Sequence, residues 1–157
     1  MKVFLFLLTA VLLSPVFSSA SPAMDHSKMD HSKMNHAGMD ASGQMVDLGS
    51  VTENGVEALA EMKDISKAMA QMGMEATHHF MVMFVDTQKY EPIEEGVVAL
   101  KITSPSGVTS GAIKLMGMHG GYGADIALKE KGTYTFQVGT KLTDGEKRQF
   151  QFEFTQQ

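Results

Sequence analysis

The sequence predicts an all-β protein, an immunoglobulin-like antiparallel β-sandwich of seven or eight strands with one short helix. Three observations lead there. From residue 46 onward, short apolar segments alternate with clusters of turn-forming residues, the habit of sandwich domains. Residues 77–86 alternate strictly, with Phe80, Val82 and Phe84 on one face and His79, Met81, Met83 and Val85 on the other. Asn54-Gly55 lies between the apolar segments 46–51 and 56–62, a strong short-range signal for a two-residue hairpin turn.

The elements follow in chain order. Lys2, an apolar run over residues 3–13 and the small residues Ser18, Ser19 and Ala20 predict a secretory signal peptide over residues 1–23, cleaved after Ala20 or Ala23. The run is too short for a stable membrane span. With no cysteine in the 157 residues, a lipoprotein anchor and disulfides are both excluded. The expected product is periplasmic or secreted and not embedded in a membrane.

Residues 24–45 read MDHSKMDHSKMNHAGMDASGQM, a five-residue repeat. Such a segment has almost no branched or aromatic apolar residues to offset the entropy of ordering, so a mobile tail is expected. The folded domain then covers residues 46–157. After the first hairpin, Ile65, Ala68, Met69 and Met72 are spaced helically within residues 64–74, with Asp64 or Ser66 available as a cap. A single helix over residues 56–74 is the alternative, since Ala, Leu, Glu and Met favour helix. Further strands are expected at 96–103, 110–116, 124–128, 132–139 and 148–155. The turns between them are expected at 104–107, 120–123, 129–131 and 143–145.

Removal of Lys2 with the leader leaves 12 of the 13 Lys and Arg against 18 Asp and Glu. That acidic balance argues against nucleic acid and suits cations. All six histidines lie near a methionine. Thioether sulfur is a soft, neutral ligand for Cu(I) or Ag(I), and imidazole serves both copper oxidation states. In the tail, Met24, His26, Met29, His31, Met34, His36 and Met39 form exchangeable candidate sites; the alternative is a solubilising segment multiplied by repeat duplication. Cleavage after Ala23 would also let the free amine, backbone amides and His26 form a square-planar site for Cu(II) or nickel.

In the domain, His78, His79, Met81, Met83, Met116, Met118 and His119 are the candidate ligands. The outward methionines of the 77–86 strand have a second reading, as packing beneath the helix. Segment 115–123, LMGMHGGYG, is the most specific: with Ile113 and Leu115 inward, Met116 faces solvent, and the glycines are expected to fold His119 back beside it.

With its Met116-Gly117-Met118 and Tyr122-Gly123, the chain from residue 77 onward is similar to a periplasmic iron-uptake family that binds copper, in which a Met-Pro-Met segment leads into a His-Tyr-Gly turn. The same part of the chain also resembles exported bacterial copper-handling modules of the YtkA-like and CopC-like kinds. The resemblance to the iron-uptake family implies a thioether role for Met118 and an early-strand imidazole from His78 or His79. It departs at one place: Gly121 stands where the turn histidine belongs, and His119 lies two places earlier.

The expected function is therefore a copper chaperone or buffer, with an adaptor docking on a membrane transporter or oxidase through a methionine-rich face as the alternative. An enzyme is not expected. No Gly-x-Ser-x-Gly elbow, phosphate loop or His-Glu-x-x-His pattern occurs, and a blue-copper centre normally requires a cysteine.

Overall fold

The computed structural model describes residues 43–157; the expected signal peptide and all but the last residues of the expected tail, with the candidate ligands Met24, His26, Met29, His31, Met34, His36 and Met39, lie outside that range. The described chain forms β1 (Met45–Glu53), β2 (Val56–Asp64), α1 (Ser66–Gln71), β3 (His78–Asp86), β4 (Gly96–Thr103), β5 (Ile113–Lys114), β6 (Met116–Met118), β7 (Gly121–Ile126), β8 (Gly132–Leu142) and β9 (Lys147–Gln156). Two antiparallel sheets result, in the orders β1-β2-β3-β7-β6 and β5-β4-β8-β9. The expected β-sandwich is thus observed, with more strands among the described residues than the seven or eight anticipated.

The period-2 pattern explains the layering. Phe80, Val82 and Phe84 of β3 are fully buried, and so are Ala58 and Ala60 of β2. Across the interior Phe80 stacks on Phe136 at 5.4 Å, and Phe84 meets Phe150 at 5.5 Å. Each such ring contributes about 1.5–3 kcal/mol through burial alone. These contacts join β3 to β8 and β9 and lock the phase of β3.

The first hairpin turns at Asn54 and Gly55, with φ of 46° and 77°, the left-handed pair that a two-residue turn between twisted strands demands. Residues 56–64 are a strand, not the start of a long helix. Pairing with β1 and β3 buries one face of this segment and overrides its helix propensity. The helix shrinks to Ser66–Gln71 and buries no residue fully; Asp64 Oδ1 accepts the Ser66 amide at 2.8 Å instead of capping the helix proper.

Two expectations around residue 115 are corrected. The single strand at 110–116 divides: β5 pairs with β4, whereas β6 joins the other sheet, and the chain crosses at the buried Leu115, whose amide bonds to Val98 O at 3.0 Å. The turn expected at 120–123 moves to His119 and Gly120, with φ of 48° and 81°. Gly121 and Gly123 lie inside β7, between β3 and β6.

Candidate metal centre

The outer face of the five-stranded sheet carries the candidate site. Strand parity puts His79, Met81 and Met83 on that face of β3, opposite the buried Phe80, Val82 and Phe84. On one side of β7, Met81 pairs with Gly123; on the other, Gly123 pairs with Met116 and Gly121 with Met118. Partner residues in a ladder project to the same face. The result is a strip of two side-chain-free positions bordered by methionines from both neighbouring strands.

Those glycines leave room that the neighbours occupy. A Cβ on Gly123 would lie 3.0 Å from His79 Nε2 and 3.2 Å from Met118 Sδ. One on Gly121 would lie 2.9 Å from Met83 Cγ. The imidazole nitrogen and the thioether sulfur thus border the same atom-sized gap above Gly123. A glycine inside a strand commonly marks such a close approach.

His79 is held for this role from behind. Its Nδ1 lies 2.6 Å from Asp125 Oδ1, on the residue paired with it across β3 and β7. A carboxylate only accepts, so Nδ1 donates to Asp125, and Nε2 is the ring nitrogen on the side of Met118. Carboxylate support of a ligating histidine is a recurrent second layer of metal sites, fixing tautomer and ring orientation. Asp125 was not among the sequence candidates. With residues 120–123 read as a turn, the parity that aligns Asp125 with Gly121 and Gly123 emerges only once β7 begins at Gly121.

The gap suits a soft ion. Imidazole and thioether bind metal at roughly 2.0–2.3 Å by analogy with nitrogen and sulfur ligation of zinc, and here His79 Nε2 and Met118 Sδ lie on the same side of the sheet, each within 3.2 Å of one point beside Gly123. Met118 is half-buried, whereas Met116 is 59% exposed, close to solvent and free to swing. Exposed Met116 follows from inward Leu115, as expected from the sequence.

The other two histidine candidates are not brought to this gap. His78 has the parity of Phe80: it points inward, 9% exposed, edge-on to Phe154 at 5.4 Å and hydrogen-bonded through Nδ1 to Thr77 Oγ1 at 2.8 Å. Burial pushes its pKa below the ordinary value, opposed by the nearby Asp64 charge. His119 is exposed at the first position of the β6–β7 turn, not folded back beside Met116; a two-residue turn returns the chain directly into β7. Tyr122, between the two glycines, faces inward and donates its hydroxyl to Glu94 O at 2.8 Å, tying the loop before β4 to the underside of the site.

No family model matches the chain, and no curated protein matches it. Solved structures do. A copper-bound variant of FetP from uropathogenic Escherichia coli strain F11 is similar with a TM-score of 0.58 and 16% identity, over 71% of this chain and 97% of that one. A DUF4426 family protein from Pseudomonas aeruginosa PAO1 is similar with a TM-score of 0.51 and 14% identity, over 68% of this chain and 92% of that one. At these identities the likeness establishes a shared β-sandwich fold.

Proposed function

We propose that this protein binds copper outside the cytoplasm and acts as a chaperone or buffer for it. His79 and Met118 form the heart of the folded site, and Met81, Met83 and Met116 are its reserve of thioethers. The observation that carries the reading is the convergence of His79 Nε2 and Met118 Sδ over Gly123, on a face where every flanking side chain from β3 and β6 in those rows is a methionine. The copper-bound FetP structure of the same fold supports it. So does the export signal read from the first 23 residues, and no helix among the described residues is long and apolar enough to cross a membrane.

The Met/His repeat of residues 24–45 collects further ions by ligand exchange. The ion is cargo, passed to a transporter, an oxidase or another copper protein, and the chain performs no reaction of its own. Copper titration of the processed protein tests this. His79→Ala or Met118→Leu should each abolish the tightest domain equivalent, and deletion of residues 24–45 should lower stoichiometry while that equivalent persists. Unchanged binding in both point variants refutes the site.

The exposure of Met116 favours a second reading, an adaptor whose methionine face docks on a membrane complex. Chelator competition separates the two, because a carrier surrenders its ion to the competitor and an adaptor holds it inertly or takes none.

A further inference from the structure

We infer that the centre on this sheet face takes monovalent soft ions, Cu(I) and Ag(I), and discriminates against Cu(II) and Zn(II). The inference rests on the metal-binding reading above and adds the charge and class of the ion. Its basis is the donor set the fold brings together. Of the three histidines outside the tail, His79 alone reaches the gap; His78 packs on Phe154 in the interior, and His119 stands exposed at the turn. The other side-chain donors bordering the two glycines, from Met81, Met83, Met116 and Met118, are thioethers.

Divalent copper and zinc need several nitrogen, carboxylate or thiolate donors, whereas neutral sulfur suits Cu(I) and its congener. Among the described residues no three His, Cys, Asp or Glu side chains converge. The nearby carboxylates do not change this. Asp125 is engaged by His79 Nδ1. Glu61 pairs with Met81 from β2, which places it two strands, about 10 Å, from Gly123. Lys63 pairs with His79 on the same outer face, and its positive charge opposes a divalent ion about twice as strongly as a monovalent one.

The test uses the full processed chain labelled with ¹³C at the methionine methyls, so that the domain signals are read separately from those of the tail. The signals are assigned by single Met→Leu replacements. Ag(I), Cu(I) kept reduced without oxygen, Cu(II) and Zn(II) are titrated in turn. One equivalent of bound Ag(I) or Cu(I) should move the Met118 methyl and at least one of those of Met81 and Met116, with a preference over Zn(II) of at least about 100-fold in competition, near 3 kcal/mol. Met118→His should narrow that preference by about tenfold or more.

If Cu(II) or Zn(II) perturbs the same methyls at comparable concentration, or if Met118→His leaves the preference unchanged, the selectivity is overturned while the metal site stands. If none of the four ions perturbs them, the site itself falls and the selectivity with it.

Discussion

Replacement of Gly123 by alanine is the sharpest probe of the site, because it changes one methyl group at the point where the ligand atoms meet. The new Cβ would sit 3.0 Å from His79 Nε2, 3.2 Å from Met118 Sδ and 2.9 Å from Phe80 O. The first two side chains can retreat, but the backbone oxygen cannot do so without shifting β3. Overpacking of this kind costs about 1–3 kcal/mol, offset by about 0.4–1 kcal/mol from the stiffer unfolded chain. A net loss of about 1–2 kcal/mol should lower the melting midpoint by roughly 3–10 °C for a domain of this size.

The metal-linked effect is larger and has the opposite sign. Free Ag(I) at 100 times its Kd stabilises a folded site by about 2.7 kcal/mol, a rise of roughly 10 °C in the wild type. Tail ligands, expected to be as accessible in the unfolded chain as in the folded one, add nothing to that shift. In Gly123→Ala the methyl fills the gap, so the Ag(I)-induced rise should vanish. Gly139→Ala is the control: this glycine also lies within a strand, but its nearest new contact would be Ala99 O at 4.0 Å, and the full rise should persist. Retention of the rise in Gly123→Ala, measured by differential scanning calorimetry with and without Ag(I), would refute the placement of the ion.

Three further predictions concern the frame around the site. Arg148, with a side chain 5% exposed, donates to Asn54 O at 3.1 Å and to Asp144 Oδ2 at 2.6 Å, tying the β1–β2 turn to the β8–β9 turn; Arg148→Leu should cost about 2–3 kcal/mol, read by urea denaturation. Tyr122→Phe removes the hydrogen bond to Glu94 O and should cost about 1 kcal/mol while leaving Ag(I) stabilisation in place. His78, whose pKa burial holds below the ordinary value, favours the unfolded state for protonation. Its contribution should be full above an unfolded pKa of about 6.5 and decline as pH falls from there through the lower folded value. His78→Phe should flatten the melting midpoint between about pH 7 and 5, and an unchanged slope would remove His78 as its source.

Much of the sandwich was legible because burial imposes period 2. Residues 96–103 match β4 at both ends, and the Asn-Gly turn announced the first hairpin. The division at Leu115 was not legible: nothing local distinguishes one strand from two that belong to different sheets, and the crossing depends on the Val98 carbonyl. The glycines at 121 and 123 read as a turn because glycine is a local breaker. Their place inside β7 depends on methionines and a histidine from strands remote in sequence. The choice between His78 and His79 was open at the level of the motif, yet strand parity already contained it, since His79 shares phase with Met81 and Met83 while His78 shares phase with Phe80.

The departure at Gly121 from the iron-uptake family's histidine has a physical consequence here. At that position a Cβ would meet Met83 Cγ at 2.9 Å and Val82 O at 2.9 Å, so the space a turn imidazole would need is filled by a thioether-bearing side chain and closed below by backbone. Met83 and Gly121 therefore form a matched pair, in which the glycine admits the methionine. Gly121→His should lose about 1–3 kcal/mol of stability through overpacking, and Met83→Ala in the same chain should recover part of it by releasing the side-chain conflict. If Gly121→His alone folds with undiminished stability in urea denaturation, β7 has room that the Met83 contact denies, and the argument that a thioether replaces the imidazole at this place fails.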